Sequence, residues 1–301
     1  MPPAALACLL FNAFVWGVSW WPFRQLNALG LHSVWATGFA FLFSTVVLTL
    51  WRPHAWTGLL RRPPLVWLLL AAGATNVFFN WGVMIGEVVR VVLLFYLMPV
   101  WSLLLARWLL DEPITPAALA RMSLALAGAA IVLWRPGTGL PLPSSLADWL
   151  GVAGGVCFAF VNVLVRRNRD APDEVRALTM FVGGFAVACG MAWAMSAGGT
   201  IDWPPPPRAT WILGTIALAL ALLAGNFALQ YGVARVPAGV TAIVMLSEVL
   251  FAALSSMAIG GETLSARTLA GGLMIMAATA LAAWMQGETP PEIRRGPTPT
   301  P

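Results

Sequence analysis

Charged residues are scarce in this sequence, and several residue types are almost missing. Only 10% of the 301 residues are charged, whereas an average soluble domain carries about 25%. All 17 basic residues are arginine, and there are only two tyrosines, two histidines and three cysteines. Hydrophobic residues instead make up 59% of the chain, with a mean hydropathy of +0.81. A soluble fold could not bury that much apolar surface, so the predicted solvent is a lipid bilayer.

The shortage of cysteine and histidine excludes several kinds of site. Cys8, Cys157 and Cys189 lie singly in apolar stretches, without the paired spacing of disulfide frameworks or metal sites. His32 and His54 form no cluster with carboxylates, so neither a metal nor a cofactor is predicted. No Walker A motif for nucleotide phosphates occurs. The net charge of +5 resides mainly in short loops, and no nucleic-acid partner is predicted.

Apolar stretches of membrane-spanning length fill the chain almost from end to end. A transmembrane helix needs about 20 mainly apolar residues, and the runs between charges, prolines and glycines give ten such segments. Their predicted bounds are 5–23, 33–51, 65–86, 91–110, 117–134, 149–165, 175–197, 210–231, 239–258 and 267–285. The sequence therefore predicts an all-α integral membrane protein with ten transmembrane helices. The N-terminus lacks the basic region of a signal peptide, so the first segment is expected to be retained.

The arginines indicate an orientation, because cytoplasmic loops carry an excess of basic residues. Twelve arginines fall on the side shared by the two termini, and five fall on the other side. Both termini are therefore expected in the cytoplasm. The chain is expected to be a multi-pass protein of the bacterial inner membrane.

The sequence contains an internal repeat with an offset of 150 residues. This shift aligns 76–134 with 226–284 without a gap, and its weight rests on polar matches, because apolar residues coincide by chance. Asn76 matches Asn226 and Glu112 matches Glu262. Since five helices in each half is an odd number, the second half is predicted to lie inverted relative to the first. Inverted repeats are a recurring plan of secondary transporters, because two packings of one architecture open a central site to alternate sides.

Parts of this repeat resemble a known transporter family. Segments 96–115 and 246–265 are similar to the fourth and ninth helices of the EamA family, which belongs to the drug/metabolite transporter superfamily. Trp16 and Gly17, followed by Arg24, are similar to the first-helix pattern of that family, whereas Val249 stands where many relatives have proline. The resemblance spans about residues 6–285. It implies two inverted five-helix repeats, cytoplasmic termini and export of small metabolites such as amino acids.

These observations define an organisation and a function for the chain. We expect a first repeat over 1–135, a linker loop over 136–148, a second repeat over 149–286 and a disordered cytoplasmic tail over 287–301. The predicted function is that of a secondary transporter, not an enzyme, which exports small organic metabolites by alternating access, with proton coupling as a hypothesis. The alternative is a membrane-embedded enzyme acting on a lipid or isoprenoid. Such enzymes usually display acidic or histidine clusters at a membrane face, and the carboxylates here are scattered.

Glu248 is the first candidate for substrate binding or coupling. It lies about ten residues from either end of its predicted segment, where a carboxylate costs roughly 2.5–3.5 kcal/mol on insertion scales. Thr241, Ala252 and Ser255 share its helix face and give a small, polar stripe suited to a cavity. Two interpretations stay open, namely a carboxyl group that exchanges a proton during transport and a protonated one that only packs against a neighbouring helix.

Amides and aromatic residues complete the candidate site. Asn76 and Asn80 are one turn apart, and Asn226 and Gln230 repeat that spacing in the second half. Amides in a bilayer need partners, so these four either line a shared cavity or bond between helices. Trp16, Trp81, Tyr96, Trp101 and Tyr231 lie deeper in their segments or near the amides, and either stack on a substrate or belong to the core. Asn12 and Asn162 are weaker candidates of the same kind.

Three further pairs are given mainly structural interpretations. Glu87 and Arg90 are predicted to form a solvated pair at the outer end of the third segment, with a gate contact as the alternative. Glu112 and Glu262 are expected to organise the short turns that follow their helices. The spacing of Gly151 and Gly155 allows close helix contact, in this chain or across a homodimer.

Overall fold

The computed structural model describes residues 2–109, 113–134 and 142–287, which are α-helical without a β-strand. The first half contains α1 (Pro3–Val18), α2 (Trp20–Ala28), α3 (Ser33–Trp51), α4 (Ala55–Leu60), α5 (Leu65–Ile85), α6 (Val88–Phe95), α7 (Met98–Leu109) and α8 (Pro116–Leu133). The second half contains α9 (Leu146–Arg167), α10 (Asp173–Ala197), α11 (Ala209–Val233), α12 (Ala238–Met245), α13 (Ser247–Ala258) and α14 (Ala266–Gly287).

The helices confirm a multi-pass membrane architecture. In the described residues, eight segments are long and apolar enough to cross a bilayer, and two shorter apolar helices lie at 243–258 and 266–281. The all-α prediction is therefore confirmed, while a count of ten spans stays a prediction because eight segments of the described residues meet the length and hydropathy of a membrane span.

Three predicted helices are each divided in two. α1 and α2 meet at Ser19, whose hydroxyl donates to the Trp16 carbonyl oxygen at 2.8 Å. The other two divisions separate α6 from α7 and α12 from α13. Since interrupted helices in a bilayer leave backbone groups without their usual partners, these two breaks are natural positions for a polar site.

The repeat is present in the structure as well as in the sequence. α12 begins and ends 150 residues after α6, and α14 begins 150 residues after α8. The interrupted helix and the helix that follows it therefore recur at the same spacing in both halves, although the first half also contains the short helices α2 and α4.

Equivalent helices pack against each other in opposite directions. α8 packs on α14, where Gly128 lies against Ile275 and Gly271 lies against Val132, so residue numbers rise along one helix as they fall along the other. α3 and α10 also run antiparallel, since Trp35 bonds Ser196 while Phe41 contacts Phe181. Two elements of the first half thus run antiparallel to their counterparts in the second half.

Several of these helix contacts need glycine. A Cβ atom on Gly183 of α10 would lie 2.1 Å from the carbonyl oxygen of Leu69 on α5, and one on Gly128 would lie 2.6 Å from the Gly271 carbonyl oxygen. Gly151 and Gly155 lie against Val91 and Phe95 in the same way. Their spacing therefore serves packing inside this chain, and a homodimer stays a prediction.

The predicted linker and tail lie partly outside the described residues. α9 begins at Leu146, three residues before the predicted start of the second repeat, because Ser145 and Asp148 form a capping box at its N-terminus. Residues 136–141 of the linker and 288–301 of the tail are outside the described residues, as is Glu112.

Candidate functional site

The two helix breaks occur at equivalent positions but have different causes. Pro99 is the second residue of α7, and proline in a helix clashes with the carbonyl group four residues earlier, here that of Phe95. Its counterpart in the second half is Val249, yet the helix is interrupted there too, between Met245 and Ser247. The backbone N–H of Val249 donates to Leu246 instead of Met245. Proline is therefore not required for this break.

A single side chain connects the two breaks. Tyr96 directly follows the last residue of α6 and is 3% exposed. Its hydroxyl oxygen lies 3.1 Å from the Met245 carbonyl oxygen. The same hydroxyl lies 3.1 Å from a carboxylate oxygen of Glu248. Tyr96 thus bonds the carbonyl group freed by the second break and the carboxyl group next to it, although 152 residues separate Tyr96 from Glu248.

Glu248 is the second residue of α13 and is 8% exposed. Its carboxylate forms no ion pair with an arginine or histidine of the described chain. The sequence predicted one continuous helix with Glu248 at its middle, whereas the structure places Glu248 just after a helix break. The carboxyl group is therefore a buried polar group whose described side-chain partner is a neutral hydroxyl.

The first helix packs directly on this break. A Cβ atom on Gly17 would lie 2.7 Å from the Glu248 carbonyl oxygen and 2.8 Å from the Phe251 Cβ, so only glycine allows this approach. The indole Nε1 of Trp20 donates to the hydroxyl of Ser255 at 2.9 Å. Gly17, the second residue of the Trp16–Gly17 motif, thus allows the first helix to pack closely on α13, and Trp20 adds a hydrogen bond.

Three of the predicted aromatic residues share one hydrophobic cluster with the break. Tyr96 belongs to this cluster, and Trp16 and Trp101 pack against it. The indole Nε1 of Trp101 is buried and has no hydrogen-bond partner in the described residues. Tyr96 therefore contacts Glu248 directly, while Trp16 and Trp101 pack against the same hydrophobic cluster as Tyr96.

The predicted amides are not gathered there. Asn76 donates to the Ala72 carbonyl oxygen of its own helix at 2.8 Å. Asn80 is fully buried and donates to the Thr37 hydroxyl at 3.1 Å, while its carbonyl oxygen has no partner within the described part of the chain. Asn80 thus bonds between helices, as one of the two interpretations expected.

The second-half counterparts lie nearer the protein surface. Asn226 is half-buried and Gln230 is exposed. Tyr231 is 41% exposed, and its ring lies 3.8 Å from the guanidinium carbon of Arg235. No contact between these three residues and Glu248 or Tyr96 is found in the described residues.

Asn12, a minor candidate from the sequence, has the least satisfied amide. It is 1% exposed, and neither its amide nitrogen nor its oxygen has a partner among the described residues. It lies one turn before Trp16 on α1, with its nitrogen 3.4 Å from the Cβ position of Gly225 on α11. Since a buried amide without partners costs about 1–3 kcal/mol, a polar ligand group would find both a donor and an acceptor here.

Glu262 forms a second cluster at the end of the molecule where α2 and α5 end and α6 begins. Arg24 donates to its carboxylate at 2.9 Å and to the Gly86 carbonyl oxygen at 2.8 Å. The backbone N–H of Val88, the first residue of α6, lies 3.0 Å from one carboxylate oxygen and 3.3 Å from the other. These contacts, which we name the Glu262 latch, tie the second half to the first across a sequence separation of 238 residues.

Arg90 has a different partner from the one predicted. The prediction of a solvated pair with Glu87 was wrong, because Arg90 is 7% exposed and binds Asp148, which is 1% exposed. Arg90 donates through Nε at 2.6 Å and through a terminal nitrogen at 3.1 Å to the two carboxylate oxygens. It also donates to the Val132 carbonyl oxygen at 2.6 Å. The pair could not be predicted from spacing, because 58 residues separate its members.

A cavity of about 270 Å³ lies between the Glu262 latch and the Arg90–Asp148 pair. Its lining is mostly polar and comes from both halves: Glu87, Val89, Arg90, Gly261, Glu262, Thr263, Leu264 and Thr268. Among the described residues, no three His, Cys, Asp or Glu side chains are placed to hold a metal ion.

Comparisons with known proteins agree with this architecture. The model of the EamA-like transporter family matches residues 3–134 and 145–284. A Pseudomonas aeruginosa protein named as an uncharacterized transporter is 26% identical over 141 residues, which cover 45% of this chain and 43% of that protein. The chain thus matches less than half of that relative's length.

A solved structure, described only as a crystal structure of a protein, has the same fold. It superposes with a TM-score of 0.57 at 19% identity and covers 95% of this chain and 98% of the other. The two family matches fall one in each structural half, and the protein therefore belongs to the EamA-like transporter family, within the drug/metabolite transporter superfamily.

Proposed function

We propose that this protein exports small organic metabolites across the bacterial inner membrane as a secondary transporter that works by alternating access. In this proposal ten helices cross the bilayer as two inverted five-helix repeats, and the substrate site lies between the halves. The antiparallel packing of α3 on α10 and of α8 on α14 supports the inversion. With both termini in the cytoplasm, as the arginine distribution favours, the Glu262 latch faces the periplasm.

The observation that carries this proposal is the contact between Tyr96 and Glu248. A carrier needs a polar site near the midplane that both halves build, and this contact joins the break of the first half to the break of the second. Discontinuous helices recur at the substrate and ion sites of secondary transporters, because the ends of interrupted helices present free backbone groups. Movement of one half against the other would change this contact directly.

The Glu262 latch supplies a closed outer gate. It holds three elements together where the periplasmic path would open: the end of α2, the start of α6 and the turn before α14. The sequence repeat places Glu112 and Ala238 where Glu262 and Val88 stand in the other half. Glu112 is thus the sequence counterpart of Glu262, and it lies outside the described residues.

Coupling to a proton gradient is proposed to occur at Glu248. The replacement Glu248→Gln keeps the shape of the side chain but removes its ability to release a proton. We expect the variant to reach the membrane in normal amounts and to lose export that depends on an imposed pH gradient. Glu87→Gln is the matched control, because it removes an exposed carboxylate outside the two breaks.

The test is an export assay in cells that overexpress the wild type or one of these variants, followed by flux measurements in proteoliposomes with and without a pH gradient. Metabolites that accumulate outside cells only with the wild type identify the transported class. Equal flux for Glu248→Gln and the wild type at every pH would remove Glu248 from the mechanism. Absence of any export or exchange by the wild type would contradict the transporter assignment.

The alternative, a membrane-embedded enzyme acting on a lipid or isoprenoid, has less support. Family membership favours a transporter, and the described residues contain no group of three or more His, Cys, Asp or Glu side chains that could hold a catalytic metal ion. Conversion of a lipid substrate by the purified protein would favour the enzyme over the carrier.

A further inference from the structure

The charge near the midplane is of one sign. Glu248 lies ten residues from either end of the 238–258 segment. In the eight segments long enough to cross a bilayer, every charged side chain lies within five residues of a segment end, and Arg267 is the second residue of α14. A substrate at this depth therefore meets one fixed negative charge and no fixed positive charge among the described residues.

The helix ends at the two breaks do not alter this balance. Each break places the negative C-terminal end of one helix next to the positive N-terminal end of the next, as for α12 and α13. Opposed helix dipole ends largely cancel. In the first break, Pro99 also removes one backbone N–H from the start of α7. The carboxyl group of Glu248 is thus the dominant charge of the site.

The apolar part of the site is aromatic and offers some unused polar atoms. Trp16, Tyr96 and Trp101 pack on the cluster that contains Leu246 and Val249, the neighbours of Glu248. The Ser247 hydroxyl is buried without a partner in the described residues, as are the Trp101 indole nitrogen and the Asn12 amide. Aromatic faces together with one carboxylate bind organic cations well, through ring electrostatics and a direct ion pair.

We propose that the transported substrate is an organic cation, a protonated amine with an apolar or aromatic body, and that Glu248 is its counter-ion. This deepens the proposed function and rests on it. A carboxylate on the substrate would find no cationic partner at this depth, and burying an unpaired charge is costly. The proposal therefore narrows the class from amino acids and related compounds to amines without a free carboxylate.

Exchange with a proton follows from the same carboxyl group. A protonated Glu248 that binds an ammonium ion releases one proton, so one positive charge enters the site and one leaves. Tyr96 is the titratable group that faces Glu248. α12 has no charged residue, α1 carries only Cys8 among titratable groups, near its other end, and Arg90 of α6 is paired with Asp148.

The experiment compares three probes that share one phenyl ring: phenethylamine, phenylalanine and phenylacetate. Binding to the full chain in detergent is followed by tryptophan fluorescence, and proton release is followed in weakly buffered solution. We expect phenethylamine to bind, to release about one proton per molecule and to bind at least about tenfold more tightly than the other two probes. Glu248→Gln is expected to lose proton release completely and phenethylamine affinity about tenfold, while Glu248→Asp retains proton release.

Three outcomes would overturn the cation assignment. They are binding of phenylalanine or phenylacetate as tight as that of phenethylamine, phenethylamine binding unchanged in Glu248→Gln, and binding of none of the three probes. The export assay described above separates this failure from failure of the transporter assignment, because a carrier that exports zwitterions or anions still passes that assay. Glu248→Asp guards against misfolding, since a variant that retains proton release is folded.

Discussion

Loss of the charge on Glu262 should open the side of the protein that we propose faces the periplasm. The variant is Glu262→Gln, whose amide oxygen can still accept a hydrogen bond from the Val88 backbone but no longer attracts Arg24 as a carboxylate does. Arg24 keeps its bond to the Gly86 carbonyl oxygen, so the Glu262 latch is weakened without being abolished. We expect the equilibrium to move from the closed toward the open outer gate.

The size of the effect follows from the contacts that change. A hydrogen bond to a charged group contributes about 1.5–3 kcal/mol, and a neutral one about 0.5–1.5 kcal/mol. With Arg24 and Val88 as partners, removing the charge costs the closed state about 2 kcal/mol. The side chains of Arg24 and Glu262 are 27% and 16% exposed, and solvent screening reduces this to about 1–2 kcal/mol. The open population should rise roughly 5- to 30-fold.

Distances between spin labels measure this population. Labels at Leu29 and Ala266, both exposed, report on the outer ends of the two halves once Cys8, Cys157 and Cys189 are replaced by serine. In reconstituted protein, Glu262→Gln should increase the fraction of long distances over the wild type.

Two further variants separate the latch from a general charge effect. Glu87→Gln removes a carboxylate that lines the same cavity and forms no ion pair in the described chain, and it should leave the distances unchanged. Arg24→Gln should act like Glu262→Gln, and the double variant should add little to either, because both remove one interaction. Identical distributions for Glu262→Gln, Glu87→Gln and the wild type would refute the latch.

Three other predictions concern stability. Asp148→Asn leaves Arg90 buried without its counter-charge and should lower the free energy of unfolding by about 3–5 kcal/mol. The control Asp170→Asn, in an exposed pair, should lower it by less than about 1 kcal/mol. Thermal unfolding in detergent distinguishes the two variants, and equal melting temperatures would contradict a stabilising buried pair. Gly183→Ala should destabilise the protein by about 1–3 kcal/mol, because the added Cβ meets the α5 backbone. Gly190→Ala on the same helix has open space and should be neutral or stabilising. A Gly183→Ala protein as stable as the wild type would exclude the close contact. Partial burial lowers the pKa of His32, whose Nδ1 accepts a hydrogen bond from the Val34 backbone at the start of α3. The melting temperature should therefore be constant above about pH 6.5 and fall as pH drops through the lowered pKa. His32→Asn should remove this part of the pH dependence, and an unchanged pH profile in the variant would contradict the assignment.

Sequence reasoning succeeded where the signal is local or repeats along the chain. The long apolar stretches determined the helices, and the 150-residue repeat located equivalent elements, down to the bounds of α6 and α12. It also selected Glu248, because a carboxylate far from both ends of an apolar segment is unusual in any context. It found neither helix break, because 91–110 and 239–258 were each predicted as one continuous helix. Pro99 marks the first break in the sequence, whereas Val249 gives no sign of the second.

Sequence reasoning was weaker for the partners of each polar side chain. The amides of Asn76 and Asn226 looked equivalent by repeat symmetry, yet one bonds its own helix and the other is half-exposed. Arg90 looked paired with Glu87, one turn away, because only near neighbours can be judged from spacing. Its true partner lies on a helix of the other half.

The sequence by itself determined that this protein is built for a lipid bilayer, that it is helical and repeated, and that it resembles the EamA family. Composition, the length of apolar runs and sequence motifs are properties of the chain alone. Only the tertiary structure decided that Tyr96 meets Glu248, that Arg90 meets Asp148 and that Glu262 holds the start of α6. These contacts join residues 58 to 174 positions apart. The physical reason is that such pairs depend on the rotation and depth of packed helices, which close-packed side chains and glycines set jointly across the two halves.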